Sequence, residues 1–249
     1  MYFKLRNHEQ ALHYYLRSLD LKNELNDVAD IDKILINVGL CYSELKKSEE
    51  AIVSFNKALA SCGNGCSETL KNQAFYGLGV AYFYLKDFVN SQENFKTSLD
   101  ISTKQNDKQY WIDNLIWLSK IARERKEYTK SLEYLNEARQ FEKESEFTET
   151  LIEFYNELSK VYTSLGDFEN ASAHQGRYIK LKDSIYGSQL IKNLVKIQNA
   201  YEQRENLKTI SENNRILSLQ NELIRRQQIQ YIFIVVVTIL ALGLALVLI

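Results

Sequence analysis

The sequence contains no proline and only 9 glycines in 249 residues. Proline makes up about 5% of an average protein, and it interrupts helices more strongly than any other residue. Its complete absence argues against a β-sandwich, a proline-rich linker and a collagen-like segment. Charged residues make up 25% of the chain and there are 16 tyrosines, which excludes a disordered composition. We therefore predict a folded chain that is helical almost throughout.

An excess of charge of one sign is also missing. The chain has 31 lysines and arginines against 32 aspartates and glutamates. Nucleic-acid-binding domains usually carry a pronounced basic surface. The balance predicts that this chain does not bind nucleic acid.

Cysteines and histidines are few, with three of each. Cys62 and Cys66 are four residues apart, and they either form a local bridge in an oxidising compartment or remain free thiols. Cys41 lies in an apolar helical stretch and is expected to be a small core residue. None of the histidines is at metal-ligand spacing from another ligand, so we expect no metal site.

Catalytic sequence motifs are missing as well. Residues 77–79 read Gly-Leu-Gly, a fragment of a dinucleotide fingerprint, but they lie in a helical stripe instead of after a strand. The sequence has no phosphate loop, nucleophile elbow or kinase signature. We predict no catalytic residues, no cofactor and no enzymatic activity in this chain.

The sequence does contain an internal repeat with a period of 40 residues. Gly39 and Gly79 are one period apart, and Ser119 and Ser159 continue the same step. A repeat of this length is typical of solenoid proteins. Small residues recur with the same step in the series Ala11, Ala51, Ser91, Ser131, Ala171, and large apolar or aromatic residues recur in the series Tyr15, Phe55, Phe95, Leu135.

Each repeat contains two amphipathic segments separated by a short turn, such as residues 165–168. Spacings of three and four place the apolar residues of a segment along one helical stripe. Small residues let two helix backbones approach, and aromatic rings fill the space beside them. The residues expected to pack the repeats together are Gly39, Tyr42, Ala51, Phe55, Gly79, Tyr82, Phe95, Ala138, Tyr162 and Ala171.

These segments resemble the tetratricopeptide repeat (TPR), in its variant of about forty residues. The resemblance is carried by Leu-Gly-x-x-Tyr at residues 78–82 and Leu-Ser-x-x-Tyr at residues 158–162, and it covers residues 1–182. The usual proline at the end of each repeat is missing throughout. The resemblance implies an all-α solenoid of helical hairpins that binds a protein or peptide partner without catalysis.

In TPR arrays the first helices of the hairpins line a concave face, which implies a partner-binding groove on the side opposite the packing stripe. Aromatic residues beside cations there predict an extended peptide ligand with apolar side chains and an acidic group. The alternative is that some of these aromatics pack against a neighbouring repeat. The residues expected in the groove are Tyr76, Val80, Phe83, Tyr84, Ile116, Lys120, Arg123, Asn156 and Lys160.

Residues 183–230 are polar and predict a capping helix that continues into a long helical stalk. Six residues follow alternating steps of three and four, which is typical of a coiled-coil seam, and asparagines in such a seam can set its register. The stalk either forms a homodimer or remains a single amphipathic helix. The seam consists of Leu207, Ile210, Asn214, Leu217, Asn221 and Ile224.

Residues 231–249 contain no charged residue. As a helix they would be about 28 Å long, close to the roughly 30 Å of a bilayer's hydrocarbon core. We predict a single transmembrane helix here. Tyr231 would be an anchor at its interface.

The order of array, stalk and span is similar to the sensor half of bacterial single-pass signalling proteins that end in a histidine kinase or helix-turn-helix domain. This resemblance implies an inner-membrane sensor or scaffold with an extracytoplasmic array, preceded by a signal segment and followed by an output domain. The incomplete first repeat likewise leads us to expect residues upstream of Met1. The alternative is a tail-anchored adaptor with a cytoplasmic array, because Arg215, Arg225 and Arg226 precede the span.

Overall fold

The computed structural model describes residues 7–62, 65–141 and 148–247, and all regular structure in this part of the chain is helical. The prediction of an all-α repeat array is confirmed. A short 3₁₀ helix covers Arg139–Phe141. The α-helices are α1 (His8–Glu24), α2 (Ile31–Glu44), α3 (Ser48–Cys62), α4 (Glu68–Tyr84), α5 (Phe88–Gln105), α6 (Lys108–Glu124), α7 (Tyr128–Ala138), α8 (Thr148–Leu165) and α9 (Phe168–Val247).

The helices pair into successive hairpins. The pairs α2–α3, α4–α5 and α6–α7 pack closely, and α8 pairs with the start of α9. Helix α1 packs on α2. The first helices of neighbouring hairpins also contact one another, in the series α2, α4, α6, α8. These four helices therefore share one face of the array.

The turn inside each hairpin has the same geometry. Its left-handed residue recurs at 40-residue intervals, as Lys46, Lys86, Lys126 and Gly166, with φ between 59° and 77°. The next backbone amide donates to a carbonyl five residues earlier at 2.8–3.0 Å. This Schellman pattern satisfies carbonyls that a helix end leaves without partners. Gly166 thus ends α8 in the left-handed conformation, which glycine adopts at little cost.

Small residues let the two helices of a hairpin approach. A methyl group added at Gly39 would lie 2.7 Å from the Phe55 ring, and one at Gly79 would lie 2.8 Å from the Phe95 ring. Where serine occupies such a contact, its hydroxyl bonds across it: the Ser91 hydroxyl donates to the Gly79 carbonyl at 2.8 Å. The same bond forms from Ser131 to Ser119 and from Ser159 to Ala171.

The core consists of three clusters along the array, one against α2–α4, one against α4–α6 and one against α6–α9. Phe55, Phe95 and Leu135 are fully buried, one in each cluster. Each of the ten residues expected to pack the repeats is either buried or packs against one of these clusters.

Cys62 and Cys66 form a disulfide between the last residue of α3 and the segment that precedes α4. Of the two alternatives that the sequence leaves open, the structure thus contains the bridge. Cys41 is a free thiol that is completely buried. Burial raises its pKa to about 11.

The chain divides into two compact units, residues 1–183 and residues 184–249, while the sequence places the end of the array at residue 182. Helix α9 runs through both units. In the second unit, four apolar residues of the predicted seam are more than half exposed: Leu207, Ile210, Leu217 and Ile224.

Among the described residues, no helix combines the length and the apolar character needed to cross a membrane. The backbone of residues 231–247 is helical. The side chains of residues 233–249, on which the predicted transmembrane helix depends, lie outside the described residues.

Candidate partner-binding groove

A cleft of about 250 Å³ opens on the face shared by α4, α6 and α8. Four of the nine residues predicted for the groove line it: Tyr76, Tyr84, Ile116 and Lys120. The register of the repeat explains their meeting, because the three helices present equivalent faces side by side. The remaining lining residues are Asp113, Trp117 and Glu153.

The aromatic wall of the cleft is anchored in the core. The Trp117 indole N–H donates to the Tyr76 hydroxyl at 2.9 Å. On its other side, Trp117 stacks on Phe95 with ring centres 5.5 Å apart and planes within 10°. Tyr76 packs edge-to-face against both Phe95 and Tyr110, and burial raises its pKa well above the usual range. The wall is therefore preorganised, since each ring has a fixed partner.

Lys120 lies across this wall. Its ammonium is 3.0 Å from a carboxylate oxygen of Glu153 and 4.1 Å from the centre of the Trp117 ring. The Lys120 side chain is only 14% exposed, whereas that of Glu153 is 52% exposed. The cleft thus holds a cation between a carboxylate and an aromatic face.

Asp113 adds a second carboxylate. It accepts hydrogen bonds from the Gln109 amide at 2.9 Å and from the Thr150 hydroxyl at 3.1 Å. Burial raises the pKa of Asp113 above its ordinary value, although both bonds and the Lys120 charge favour the ionised form. The loss of water around the Asp113 carboxylate therefore outweighs the hydrogen bonds and the Lys120 charge in setting this pKa.

Arg123, one turn beyond Lys120, is engaged by acids as well. Its Nε lies 2.6 Å from Oε1 of the fully buried Glu157, and its terminal nitrogen lies 2.8 Å from Glu124. The second carboxylate oxygen of Glu157 has no hydrogen-bond partner among the described residues. Two of the three cations predicted in the groove, Lys120 and Arg123, therefore already have carboxylate partners.

The other predicted groove residues have different surroundings. Val80 and Phe83 pack against the cluster around Phe95. Ile116 is only 2% exposed and forms the floor of the cleft. On α8, half-buried Asn156 and exposed Lys160 do not line it.

Sequence reasoning missed three important residues of this face: Trp117, Glu153 and Glu157. The register contained the signal, because Trp117 and Glu157 follow Gly77 at steps of 40, and Glu153 follows Asp113. Within the described residues, no group of histidine, cysteine, aspartate or glutamate is arranged to hold a metal ion.

Known proteins confirm the repeats and the fold. Two sequence profiles of the tetratricopeptide repeat match residues 1–62 and 152–184. No curated protein matches the chain significantly in sequence.

Similar solved structures include BtubC from P. vanneervenii, with 18% identity and a TM-score of 0.59 over 75% of this chain and 77% of that one. The apo form of RapI has 15% identity and a TM-score of 0.56 over 75% and 81% of the two chains. A Rap protein complexed with Competence and Sporulation Factor has 15% identity and a TM-score of 0.54 over 75% and 62%. The chain therefore contains tetratricopeptide repeats and folds as an all-α, TPR-like array.

Proposed function

We propose that the array is a non-catalytic module that binds an extended segment of a protein or peptide partner. The observation that carries this proposal is the cleft on the shared face of α4, α6 and α8, with its anchored aromatic wall. Fixed rings contribute binding energy at a low entropic cost, because they are already ordered before the ligand arrives. The Rap structure with Competence and Sporulation Factor supports ligand binding by an array of this kind.

A screen of the purified chain against an immobilised peptide library tests this proposal. Tyr84→Ala removes a ring that is 62% exposed at the edge of the cleft, so we expect the selected peptides to bind about tenfold more weakly. Loss of an interface aromatic typically costs more than 1 kcal/mol. The control is Phe168→Ala, which removes an equally exposed ring outside the cleft. Equal effects of the two substitutions, or no selected peptide, would contradict the proposal.

We further propose that residues 231–249 anchor the chain in a membrane as a single-pass helix. The nineteen uncharged residues and the helical backbone of 231–247 support this. The full chain is expected in the membrane fraction after carbonate washing. A chain ending at Gln230 is expected in the supernatant. Recovery of both forms in the supernatant would exclude the anchor.

For the location of the array, we propose an oxidising compartment outside the inner membrane. The Cys62–Cys66 disulfide supports it, because such bridges persist mainly in oxidising compartments. The alternative, a tail-anchored adaptor with a cytoplasmic array, is favoured by the arginines before the span. Membrane-impermeant reductant followed by an impermeant thiol reagent should label intact cells in the first case. Labelling only after lysis would favour the adaptor.

The series of array, stalk and proposed span supports a role as the sensor or scaffold part of a membrane signalling protein. A histidine-kinase or helix-turn-helix domain in the reading frame after Ile249 is the expected finding. A stop codon directly after Ile249 would contradict this role.

We also propose that the stalk forms a homodimer through the predicted seam. Exposure of its apolar side chains and the two asparagines at heptad spacing support this. Leu217→Asp should convert the dimer into a monomer in analytical ultracentrifugation. Ile216→Asp is the control, because Ile216 is equally exposed and lies outside the seam. A monomeric parent chain would exclude the dimer.

A further inference from the structure

We propose that the cleft accepts a basic side chain of the partner, an arginine guanidinium or a lysine ammonium, in competition with Lys120. This inference rests on the proposed peptide binding and names the chemistry that the partner supplies. It differs from the acidic ligand that the cations alone predict from the sequence.

The structure already shows a cation in this position of the cleft. The Lys120 ammonium lies 3.0 Å from Glu153 and 4.1 Å from the centre of the Trp117 ring. A carboxylate and the face of an indole are the two groups that most favour a positive charge at short range. Lysine has a flexible stem of four carbons, so its head group can leave while the rings stay in place.

The balance of charges that line the cleft also favours a positively charged ligand. The charged lining residues are Asp113, Glu153 and Lys120, two carboxylates against one ammonium. Asp113 is buried, and its hydrogen bonds come from neutral groups, the Gln109 amide and the Thr150 hydroxyl. A basic ligand that takes the place of the Lys120 ammonium keeps a positive charge beside these carboxylates. An anionic ligand would add a third negative group.

An acidic ligand would need unpaired cations, and two of the three predicted in the groove already have carboxylate partners. Lys120 is paired with Glu153, and Arg123 is held by Glu157 and Glu124. To bind these cations, an acidic group would have to break existing ion pairs and leave the fully buried Glu157 uncompensated. Leaving a buried charge without its partner is strongly unfavourable. A basic side chain requires only the displacement of Lys120.

Tyr84 suits a guanidinium in particular. Its ring is exposed at the rim and packs edge-to-face against Trp117 with centres 6.2 Å apart. Arginine combines stacking on such rings with two parallel hydrogen bonds to a carboxylate. The geometry therefore favours arginine over lysine in the cleft.

The test uses four peptides, acetyl-Gly-Leu-Ala-X-Ala-Leu-Gly-amide with arginine, lysine, glutamine or glutamate at X. Binding is followed by the fluorescence of Trp117 in a Trp111→Phe background, since the chain has two tryptophans. We expect the arginine peptide to bind at least tenfold more tightly than the glutamine peptide, and the glutamate peptide to bind most weakly.

Lys120→Met should change the affinity of a basic ligand and that of an acidic ligand in opposite directions. It keeps the apolar stem and removes the competing ammonium, so a basic ligand should bind several-fold more tightly. Glu153→Gln should weaken the same ligand. Lys96→Met is the matched control, because Lys96 is exposed on α5 outside the cleft. Circular dichroism confirms that each variant is folded.

Preference for the glutamate peptide, or weaker binding of every peptide to the Lys120→Met variant, would overturn the inference and leave the proposed peptide binding intact. Absence of binding by all four peptides would also overturn it. The library screen decides the proposed function separately, so the two failures are distinguishable.

Discussion

At the scale of single residues, the two glycines of α4 face different aromatic side chains. A methyl group at Gly79 would lie 2.8 Å from Phe95, the ring of its own hairpin. At Gly77 it would collide with Phe55, a ring of the preceding hairpin. The repeat pattern indicates the role of Gly79. The role of Gly77 depends on a contact between repeats and was missed.

Gly77→Ala and Gly79→Ala should each lower the free energy of unfolding by about 1–3 kcal/mol, because overpacking forces a fully buried ring out of its position. The larger change Gly79→Leu should be more damaging still. The control is Gly176→Ala, where no atom lies within 4 Å of the added methyl group. This substitution should stabilise α9 by about 0.5–1 kcal/mol. Urea unfolding measures all four, and unchanged stability of Gly79→Ala would refute the register.

A second residue-scale prediction concerns Tyr110, which packs against Tyr76 beneath the cleft. Burial raises the pKa of Tyr110 to about 12, from 10.0. Between these values the unfolded chain loses the phenol proton before the folded chain does, so stability falls as the pH rises through this window. The titration of one phenol changes the free energy of unfolding by at most about 1.4 kcal/mol per pH unit.

Tyr110→Phe should therefore make the fall in stability between pH 10 and 12 shallower. The measurement is the free energy of unfolding in urea across this range, with the values between pH 6 and 8 as the internal reference. A variant whose curve stays parallel to that of the parent chain would mean that the phenol is not shielded from water.

At the scale of elements, the hairpin turns place three lysines where a left-handed backbone is required. Lys46, Lys86 and Lys126 have φ near +60°, and the fourth equivalent position is Gly166. A residue with a Cβ atom is strained by about 1–2 kcal/mol in this conformation. All three lysines are exposed, so their side chains do not account for the choice of conformation; the Schellman hydrogen bonds do.

Lys86→Gly should raise the free energy of unfolding by about 0.5–1 kcal/mol, since relief of strain exceeds the added flexibility of the unfolded chain. The matched control is Lys96→Gly in the middle of α5, which should lower stability by about 1 kcal/mol. Thermal and urea unfolding report both values. A loss of stability in Lys86→Gly would show that the turn is not strained.

Hydrogen bonds between buried polar side chains also connect neighbouring hairpins. The buried Ser98 hydroxyl donates to Asn72 of α4 at 2.6 Å and accepts from Asn114 of α6 at 2.8 Å. This chain of hydrogen bonds crosses three helices. Because buried polar groups require partners, it favours one alignment of α4, α5 and α6 over shifted ones.

At the scale of the whole molecule, the array has its own core and its own boundary. The first compact unit ends at Asp183, and Tyr178 and Leu181 of α9 pack against the cluster of α6–α8. In a solenoid, stability is the sum of repeats and of contacts between neighbours. The first turns of α9 should therefore act as the cap of the array.

Three shortened chains, ending at Gln230, Asp183 and His174, test this cap. A chain ending at Asp183 should melt at the same temperature as one ending at Gln230. A chain ending at His174 loses Tyr178 and Leu181 and should be less stable by about 2–3 kcal/mol, the value for exposing two partly buried side chains. Calorimetry measures all three. Equal melting temperatures of the chains ending at Asp183 and at His174 would show that the first turns of α9 do not cap the array.

The period of 40 residues and the lack of proline were sufficient to predict the helical hairpins of the array. The reason is that a small residue and the ring that covers it belong to one hairpin, so a single register describes every copy. The turn at Gly166 follows from the same local chemistry.

The ion pairs of the groove join residues of different hairpins, and the repeat pattern does not predict which charges meet. Lys120 meets Glu153, and Arg123 meets Glu157, across more than thirty residues. Only the folded chain brings these charges together, and their pairing is the basis for the proposal of a basic ligand. The disulfide likewise follows from the meeting of two helix ends, because sequence spacing alone is compatible with both the bridged and the free form.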